Sequence, residues 1–111
     1  MPYTQVMVFI ETSLFTKLVY TYLTENEYLG LQSFLRAYPD AGPVVPGSGG
    51  VRKLRWAVAG RGKRGGVRVI HYWKRSDGEI WMLTLYAKNE ASTIAAHILR
   101  KIAKEIDDVK T

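Results

Sequence analysis

The sequence predicts a single α+β domain that spans residues 1–111, with the element order β-α-α-β-β-β-α. Three observations support this class. The length of 111 residues is enough for one compact core. Hydrophobic residues make up 47% and charged residues 23%, as in ordinary folded proteins, so disorder of the whole chain is not expected. Strand-like apolar segments and helix-like apolar stripes follow one another in the stated order.

The chain opens with a predicted strand and a short helix. Residues Thr4–Glu11 are apolar on both faces of a period-two pattern, which is typical of a buried strand. Thr12 or Ser13 can then cap a helix that runs through Leu23.

A second helix follows at once. Thr24 and Glu27 have the spacing of a capping box at its start, and the helix must stop before Pro39. One face carries an apolar stripe that we expect to pack on a sheet, formed by Tyr28, Leu31, Leu35 and Tyr38. Residues 39–50 contain three prolines and four glycines and are predicted to be a connecting loop.

Three antiparallel strands come next. The first, Val51–Val58, alternates between a core face and a basic face. The core face carries Leu54, Trp56 and Val58, and the basic face carries Lys53 and Arg55. The second is Val67–Trp73, and Asp77-Gly78 is the signal for a tight hairpin. The third, Ile80–Tyr86, is apolar on both faces and is therefore predicted to be central.

The last predicted element is a helix that ends near Asp108. Either Asn89 or Ser92 can cap it. Its apolar stripe is predicted to consist of Ile94, Ile98, Ile102 and Ile106.

The basic charge of the chain is concentrated in one segment. The net charge is +6, but residues 1–50 and 76–111 are both slightly acidic in sum. Residues 51–75 contain no acid and nine basic side chains: Arg52, Lys53, Arg55, Arg61, Lys63, Arg64, Arg68, Lys74 and Arg75. Since such clustering repels itself in a folded protein, it favours a polyanionic partner over a merely solvated face.

Several other chemistries are not supported. Residues 60–65 read G-x-G-x-x-G, but they lie between two predicted strands and no helix follows, so a dinucleotide site is not expected. His71 and His97 lack the spacing of a zinc site, there is no cysteine, and we expect neither a metal nor another cofactor. His71 is interpreted as structural, and Ser48 as filler in a glycine-rich loop.

Aromatic residues are interleaved with the cations and can offer stacking faces to unpaired bases: Trp56, Tyr72, Trp73, Trp81 and Tyr86. The three tryptophans are predicted to belong to the core. Tyr86 differs, because it ends the central strand beside a polar turn.

Neither export nor membrane insertion is predicted. The first thirty residues lack the pattern of a signal peptide, and no apolar run approaches the ~18 residues that span a bilayer. A cytoplasmic location is expected.

Two segments resemble the HigB branch of the RelE/ParE toxin superfamily: GSGGVRKLRWAVAGRGKRGGVRVIHYW and WMLTLYAKNEAS. The resemblance covers essentially the whole chain. It implies a RelE-like fold with an N-terminal strand, two helices, a three-stranded antiparallel block and a C-terminal helix. It also implies the toxin of a type II toxin-antitoxin system, an endoribonuclease (mRNA interferase) that cuts mRNA on the ribosome. The implied partners are the ribosome, mRNA and an antitoxin with a helix-turn-helix domain. The toxin would contact operator DNA only through this antitoxin.

The resemblance also implies a set of site residues. The family's catalytic basic residues correspond to Lys53, Arg55, Arg68 and Lys88. Arg55 and Arg68 would neutralise the phosphate, and Lys53 or Lys88 would transfer a proton. The residues expected to contact RNA are Arg52, Arg61, Lys63, Arg64, Tyr86 and Asn89.

At two places the chain departs from RelE. The terminal helix has Ile94-Ala95-Ala96 where RelE has an early tyrosine, so the resemblance assigns no general base. Asn89 replaces an arginine, whose charge Arg64 or Lys63 would supply instead. Two other functions stay open: a non-catalytic RNA- or ribosome-binding module, and a poison of DNA gyrase like the ParE members.

Overall fold

The computed structural model describes residues 6–58, 66–88 and 94–109. In these residues the chain forms a mixed four-stranded sheet and three α-helices, and the predicted α+β class and element order are confirmed. The elements are β1 (Val8–Glu11), α1 (Ser13–Tyr22), α2 (Glu25–Ala37), β2 (Arg52–Trp56), β3 (Val67–Lys74), β4 (Glu79–Ala87) and α3 (Ala96–Asp108).

The strand order across the sheet is β1-β4-β3-β2. β2, β3 and β4 form the expected antiparallel block, and β4 lies between β1 and β3 as its two apolar faces predicted. β1 pairs with β4 in parallel and is an edge strand. The prediction that β1 is buried is therefore wrong, since Val8 is 51% exposed and Val6 80% exposed.

The starts of the first two helices agree with their sequence signals. The hydroxyl of Thr12 accepts from the backbone N–H of Phe15 at 3.0 Å, which caps α1. The capping box at α2 is complete, because Thr24 accepts from the N–H of Glu27 at 3.1 Å and the Glu27 carboxylate accepts from the N–H of Thr24 at 2.7 Å. α2 ends at Ala37, before the proline as predicted.

The sheet has a separate apolar layer on each face. The layer under α1 and α2 contains, among others, Phe15, Val19, Leu31, Leu35, Leu54, Val69, Ile80 and Met82. The layer under α3 contains Val51, Ile70, Leu83, Leu99, Ala103 and Ile106. Helices thus cover both faces of the sheet. A side chain on the sheet reaches solvent only where no helix lies over it.

A bulge in β4 decides which side chains enter which layer. Ile70 pairs with Thr84 and the next residue, His71, pairs with Met82, so Leu83 is left over. Because one extra residue breaks the period-two alternation, side chains five positions apart share a face. Trp81 and Tyr86 accordingly both pack on the α3 side.

Two expectations about the apolar stripes of the helices need correction. Tyr38 does not continue the stripe of α2, because it is the C-cap and 58% exposed. Of the four predicted stripe residues, Ile98 is 42% exposed, whereas Ile94, Ile102 and Ile106 pack on the α3 layer together with Leu99 and Ala103. Steps of four residues drift by about 40° each on an α-helix, so the stripe turns gradually and Ile98 falls at the edge of the buried face.

The start of α3 and the β3–β4 hairpin also differ from expectation. Asn89 and Ser92, the predicted caps of α3, lie outside the described residues; α3 begins after Ala95, which makes no side-chain cap bond. The β3–β4 hairpin exists, but its loop has four residues, a 3₁₀ turn at Arg75–Asp77 followed by Gly78 at φ 65°. Glycine adopts this left-handed conformation without steric cost, which explains why position 78 is a glycine. No helix in the described part of the chain is long and apolar enough to cross a membrane.

Candidate nucleic-acid interface

Four predicted site residues lie together on one face of the sheet. Arg55 on β2 is directly opposite Arg68 on β3, and Arg68 is directly opposite Tyr86 on β4. Lys53 lies two residues before Arg55 and so points to the same face. Neighbouring Cα atoms in such an arrangement are about 5 Å apart across strands and about 7 Å apart along one strand. We call Lys53, Arg55, Arg68 and Tyr86 the basic row.

The basic row can be reached from solvent. Arg55 is exposed, while Lys53, Arg68 and Tyr86 are half-buried. α3 covers the neighbouring part of the same face, where it packs on Ile70 and Leu83. Arg55, Arg68 and Tyr86 pair in one line across β2, β3 and β4, and the next line consists of Lys53, Ile70 and Thr84. None of these six residues is acidic.

Lys88 lies at the same end of the sheet. It follows β4 directly, is exposed, and donates its backbone N–H to the carbonyl of Gly66 at 3.3 Å. This bond continues the ladder of β3 and β4 beyond the Val67–Ala87 pair. The other predicted contacts, Arg61, Lys63, Arg64 and Asn89, lie outside the described residues.

Arg52 is separated from the basic row. It precedes Lys53 and so points to the opposite face, where its guanidinium donates to the carbonyl of Gly42 at 2.8 Å. It also lines a cleft of about 370 Å³ at the sheet edge, together with Tyr72 and Arg75. Sequence alternation alone would have excluded Arg52 from the face of Lys53 and Arg55.

His71 has the surroundings of a structural residue. Its side chain is fully buried, and its Nε2 lies 2.9 Å from the carbonyl of Ala41. Burial lowers its pKa to about 4; the bond to Ala41 opposes this shift and the nearby charge of Arg52 adds to it. The structural interpretation made from the sequence fits this environment.

Ser48 is more than loop filler, which corrects the sequence interpretation. It is fully buried, donates to the carbonyl of Val51 at 3.2 Å and accepts from the N–H of Val51 at 3.0 Å. These bonds fold the end of the 39–50 loop onto the start of β2. A serine four residues before a strand is a weak signal for such a turn, and the adjacent glycines obscured it.

The tryptophans pack as predicted. Trp56 contacts Phe34 with ring centroids 5.4 Å apart, and Trp73 lies under the guanidinium of Arg75 at 4.4 Å. Trp81 packs on the α3 layer. All three are half-buried, as is Tyr86, but Tyr86 is the aromatic residue that lies directly opposite Arg68 in the basic row.

Tyr72 is tied to the end of α3. Its hydroxyl donates to the carboxylate of Asp107 at 2.7 Å. Burial, with this bond, raises the pKa of Tyr72 to about 12. Tyr72 therefore holds α3 on the sheet.

The described residues contain no group of three or more His, Cys, Asp or Glu side chains that could hold a metal ion. β2 and β3, which flank the G-x-G-x-x-G segment, pair antiparallel, whereas a dinucleotide site of that kind needs a parallel βαβ unit.

A comparison with known families adds no assignment, because no protein-family model matches the sequence. The likeness to RelE and HigB toxins stays a prediction from the sequence.

Proposed function

We propose that this protein is a RelE/HigB-type toxin that cuts mRNA on the ribosome without a metal ion, and that a helix-turn-helix antitoxin neutralises it. The observation that carries the proposal is the basic row, which aligns two arginines, a lysine and a tyrosine on one face of the sheet beside α3. The nine basic residues of the 51–75 segment supply a wider positive field around it.

The charge arrangement favours a polyanionic ligand. Like charges directly opposite each other on a sheet destabilise the pairing by up to about 1 kcal/mol. Arg55 and Arg68 are such a pair across β2 and β3. A phosphate group between the two guanidinium groups would turn this repulsion into attraction, since each guanidinium matches phosphate oxygens with paired N–H donors.

The same groups suit cleavage by the RNA's own 2′-hydroxyl. The 2′-oxygen attacks the adjacent phosphorus, a new P–O2′ bond forms and the P–O5′ bond breaks. The proton of the 2′-hydroxyl leaves to a base and the departing 5′-oxygen gains a proton, giving a 2′,3′-cyclic phosphate and a 5′-hydroxyl. Arg55 and Arg68 would stabilise the extra charge on the phosphorane. Lys53 or Lys88 would move a proton, the role that the resemblance implies for them.

The position on strands favours catalysis over loose binding. Side chains on paired strands are held more precisely than side chains on loops, and stabilisation of a transition state depends on such precision. Tyr86 offers a ring beside the arginines for a base next to the reacting phosphate. A module that only binds RNA would not require this alignment.

The test compares two arginines. Arg55→Ala removes an exposed cation of the basic row, and we expect little change in stability, within about ±0.5 kcal/mol. The rate of mRNA cleavage on programmed ribosomes should fall about 10²-fold or more, by analogy with the loss of one oxyanion donor. Arg68→Ala should have a similar effect on the rate. Arg36→Ala is the matched control, because it removes the same charge from α2 on the opposite layer.

Circular dichroism would check folding, primer extension would map the cut ends, and growth without antitoxin would report toxicity. Equal cleavage by the parent and a folded Arg55→Ala variant would refute the role of the basic row. Ribosome binding without cutting by the parent would establish the non-catalytic module instead. Inhibition of DNA gyrase without RNA cleavage would establish the ParE-like alternative.

A further inference from the structure

A polar cleft lies at the edge of the sheet, where β3 runs past the start of β2. β2 begins at Arg52, which pairs with His71, whereas β3 continues to Lys74. The cleft beside this end of β3 has a volume of about 370 Å³, within the range of small-molecule sites. We call it the arginine cleft, and its walls include Gly50, Arg52, Trp73, Arg75 and Asp107.

The two arginines of the cleft lie on the same face of the sheet. Arg52 pairs with His71, and Trp73 lies two residues further along β3, so the side chains of Arg52 and Trp73 point to one face. This is the face of α1 and α2, since Trp73 packs on the layer under these helices. The guanidinium of Arg75 lies over the ring of Trp73, 4.4 Å from its centroid. Two cations therefore border the arginine cleft on the face opposite to the basic row.

Each guanidinium is oriented by a contact that leaves its charge unbalanced. Arg52 donates to the carbonyl of Gly42 at 2.8 Å, and Arg75 stacks on an indole ring. Both partners are uncharged, and within the described ranges neither arginine forms a salt bridge with a carboxylate. Because a guanidinium has several N–H donors in one plane, both arginines keep donors for a ligand.

The other charged groups of the cleft do not cancel the two arginines. Lys74 is nearly buried, and Asp77 balances its charge at 3.0 Å. The carboxylate of Asp107, which also lines the cleft, accepts from the hydroxyl of Tyr72 at 2.7 Å. Two unpaired arginines thus stand against one carboxylate. The net charge of the arginine cleft is positive and favours an anionic ligand.

Gly50 helps to keep the cleft open. It has φ 105°, and a Cβ at this position would lie 3.4 Å from the ring of Tyr72. Glycine adopts this conformation without strain, and it adds no side chain to the wall of the cleft.

We propose that the arginine cleft binds a phosphate group, either free or as part of an RNA chain. A phosphate offers charged oxygens to both guanidinium groups at once, and such charge-assisted hydrogen bonds are among the strong ones in proteins. The inference goes beyond the proposed function and does not depend on it, because the arginines of the cleft and the basic row lie on opposite faces of the sheet.

The binding test titrates the full chain with three probes at constant ionic strength in chloride: inorganic phosphate, a 5′-phosphorylated 2′-O-methyl RNA trinucleotide and triglutamate. NMR signals of the arginine Nε–H groups, the Trp73 indole and the Gly50 amide report where each probe binds. We expect phosphate to shift the signals of Arg52 and Arg75 together with those of Trp73 and Gly50. Arg36 is the internal control, because it also lies over an aromatic ring, that of Phe9 at 5.3 Å, and should not respond.

The variants test the electrostatic argument in both directions. Arg75→Gln should weaken phosphate binding about tenfold, since it removes a charged donor, and Arg36→Gln should leave binding unchanged. Asp107→Asn should instead strengthen binding about twofold, because it removes the opposing charge while the amide oxygen still accepts from Tyr72. A variant that merely disturbed the fold would not improve binding.

The outcomes identify the source of the phosphate or overturn the site. If inorganic phosphate and the trinucleotide shift the Arg52 and Arg75 signals with equal affinity, the site takes a free phosphate; if the trinucleotide binds more tightly, it takes RNA. Equal affinity of the parent and Arg75→Gln for phosphate would overturn the proposal. Tighter binding of triglutamate than of both phosphate probes would also overturn it, in favour of an acidic peptide. The cleavage assay on the basic-row variants is a separate measurement, so either proposal can fail alone.

Discussion

The buried histidine predicts that the protein loses stability between neutral pH and pH 4. His71 is fully buried, and its Nε2 must carry the hydrogen because the partner, the carbonyl of Ala41, can only accept. Its Nδ1 is buried and has no hydrogen-bond partner among the residues that the structure describes. A second proton would therefore place a charged N–H donor in an apolar layer, which explains why burial lowers the pKa of His71 from 6.5 to about 4.

The direction of the effect follows from proton binding in the two states. Above pH 6.5 neither the folded nor the unfolded imidazole is protonated, so the shift has no effect. Between pH 6.5 and about 4 the unfolded state binds a proton that the folded state does not, and acid favours unfolding. The free energy of unfolding should fall by about 1.4 kcal/mol per pH unit over this window, about 3 kcal/mol in all. The free energy of unfolding of a typical domain is only about 5–15 kcal/mol, so a loss of this size is readily measured.

Urea unfolding at a series of pH values from 4 to 7.5 measures this loss in the parent, His71→Gln and His97→Gln. We expect His71→Gln to reduce the slope, and His97→Gln, which changes an exposed histidine on α3, to keep it. The Asp77 carboxyl, whose pKa is lowered by the hydrogen bond from Lys74, contributes at lower pH still. Should His71→Gln not fold, the NMR signals of the parent imidazole serve instead. A ring that becomes protonated near pH 6.5 in the folded protein would refute the reasoning.

Three further predictions concern RNA and the N-terminal layer. Binding to RNA or ribosomes should weaken steeply with salt because cations of the 51–75 segment release counterions, and an affinity that is flat in a salt titration would count against this surface. RNA cleavage should persist in EDTA once the ribosome's need for magnesium is met; loss that added metal reverses would contradict a metal-free mechanism. Glu11→Ala should lower the free energy of unfolding by about 1–2 kcal/mol, because Glu11 accepts from Thr16 at 2.6 Å and Tyr28 at 2.7 Å, and a double-mutant cycle with Tyr28→Phe would measure the coupling.

Local signals in the sequence were sufficient for the helix starts and for the alternation of β2. A cap or a capping box involves residues within three positions of each other, so Thr12 and Thr24 could be identified without knowledge of the fold. The same holds for Lys53 and Arg55, because Leu54 between them had to enter the core. These are the parts of the candidate site that local chemistry determines.

Three features depend on tertiary contacts and could not be predicted from the local sequence: the pairing of β1, the role of Ser48 and the buried face of α3. Nothing local in β1 indicates that it pairs in parallel at the sheet edge, so its two apolar faces suggested full burial. Ser48 became important only through its contact with the start of β2. In α3, contact with the sheet selected Leu99 and Ala103 over Ile98. Each of these errors concerns a choice among apolar or small residues that are locally equivalent.

The composition of the basic row depends most on register. β4 is apolar on both faces, so its sequence does not say whether Tyr86 or a neighbour stands opposite Arg68. A slip of one residue would bring Leu85 or Ala87 there and turn Tyr86 to the other layer. The observed register is fixed by the bond from Lys88 to Gly66 at one end and by the Lys74–Glu79 pair at the other, with the extra residue at Leu83 between them. Deleting Leu83 would remove the bulge and force either Tyr86 or Trp81 off the α3 face, so the bulge is what allows one strand to serve both the core under α3 and the basic row.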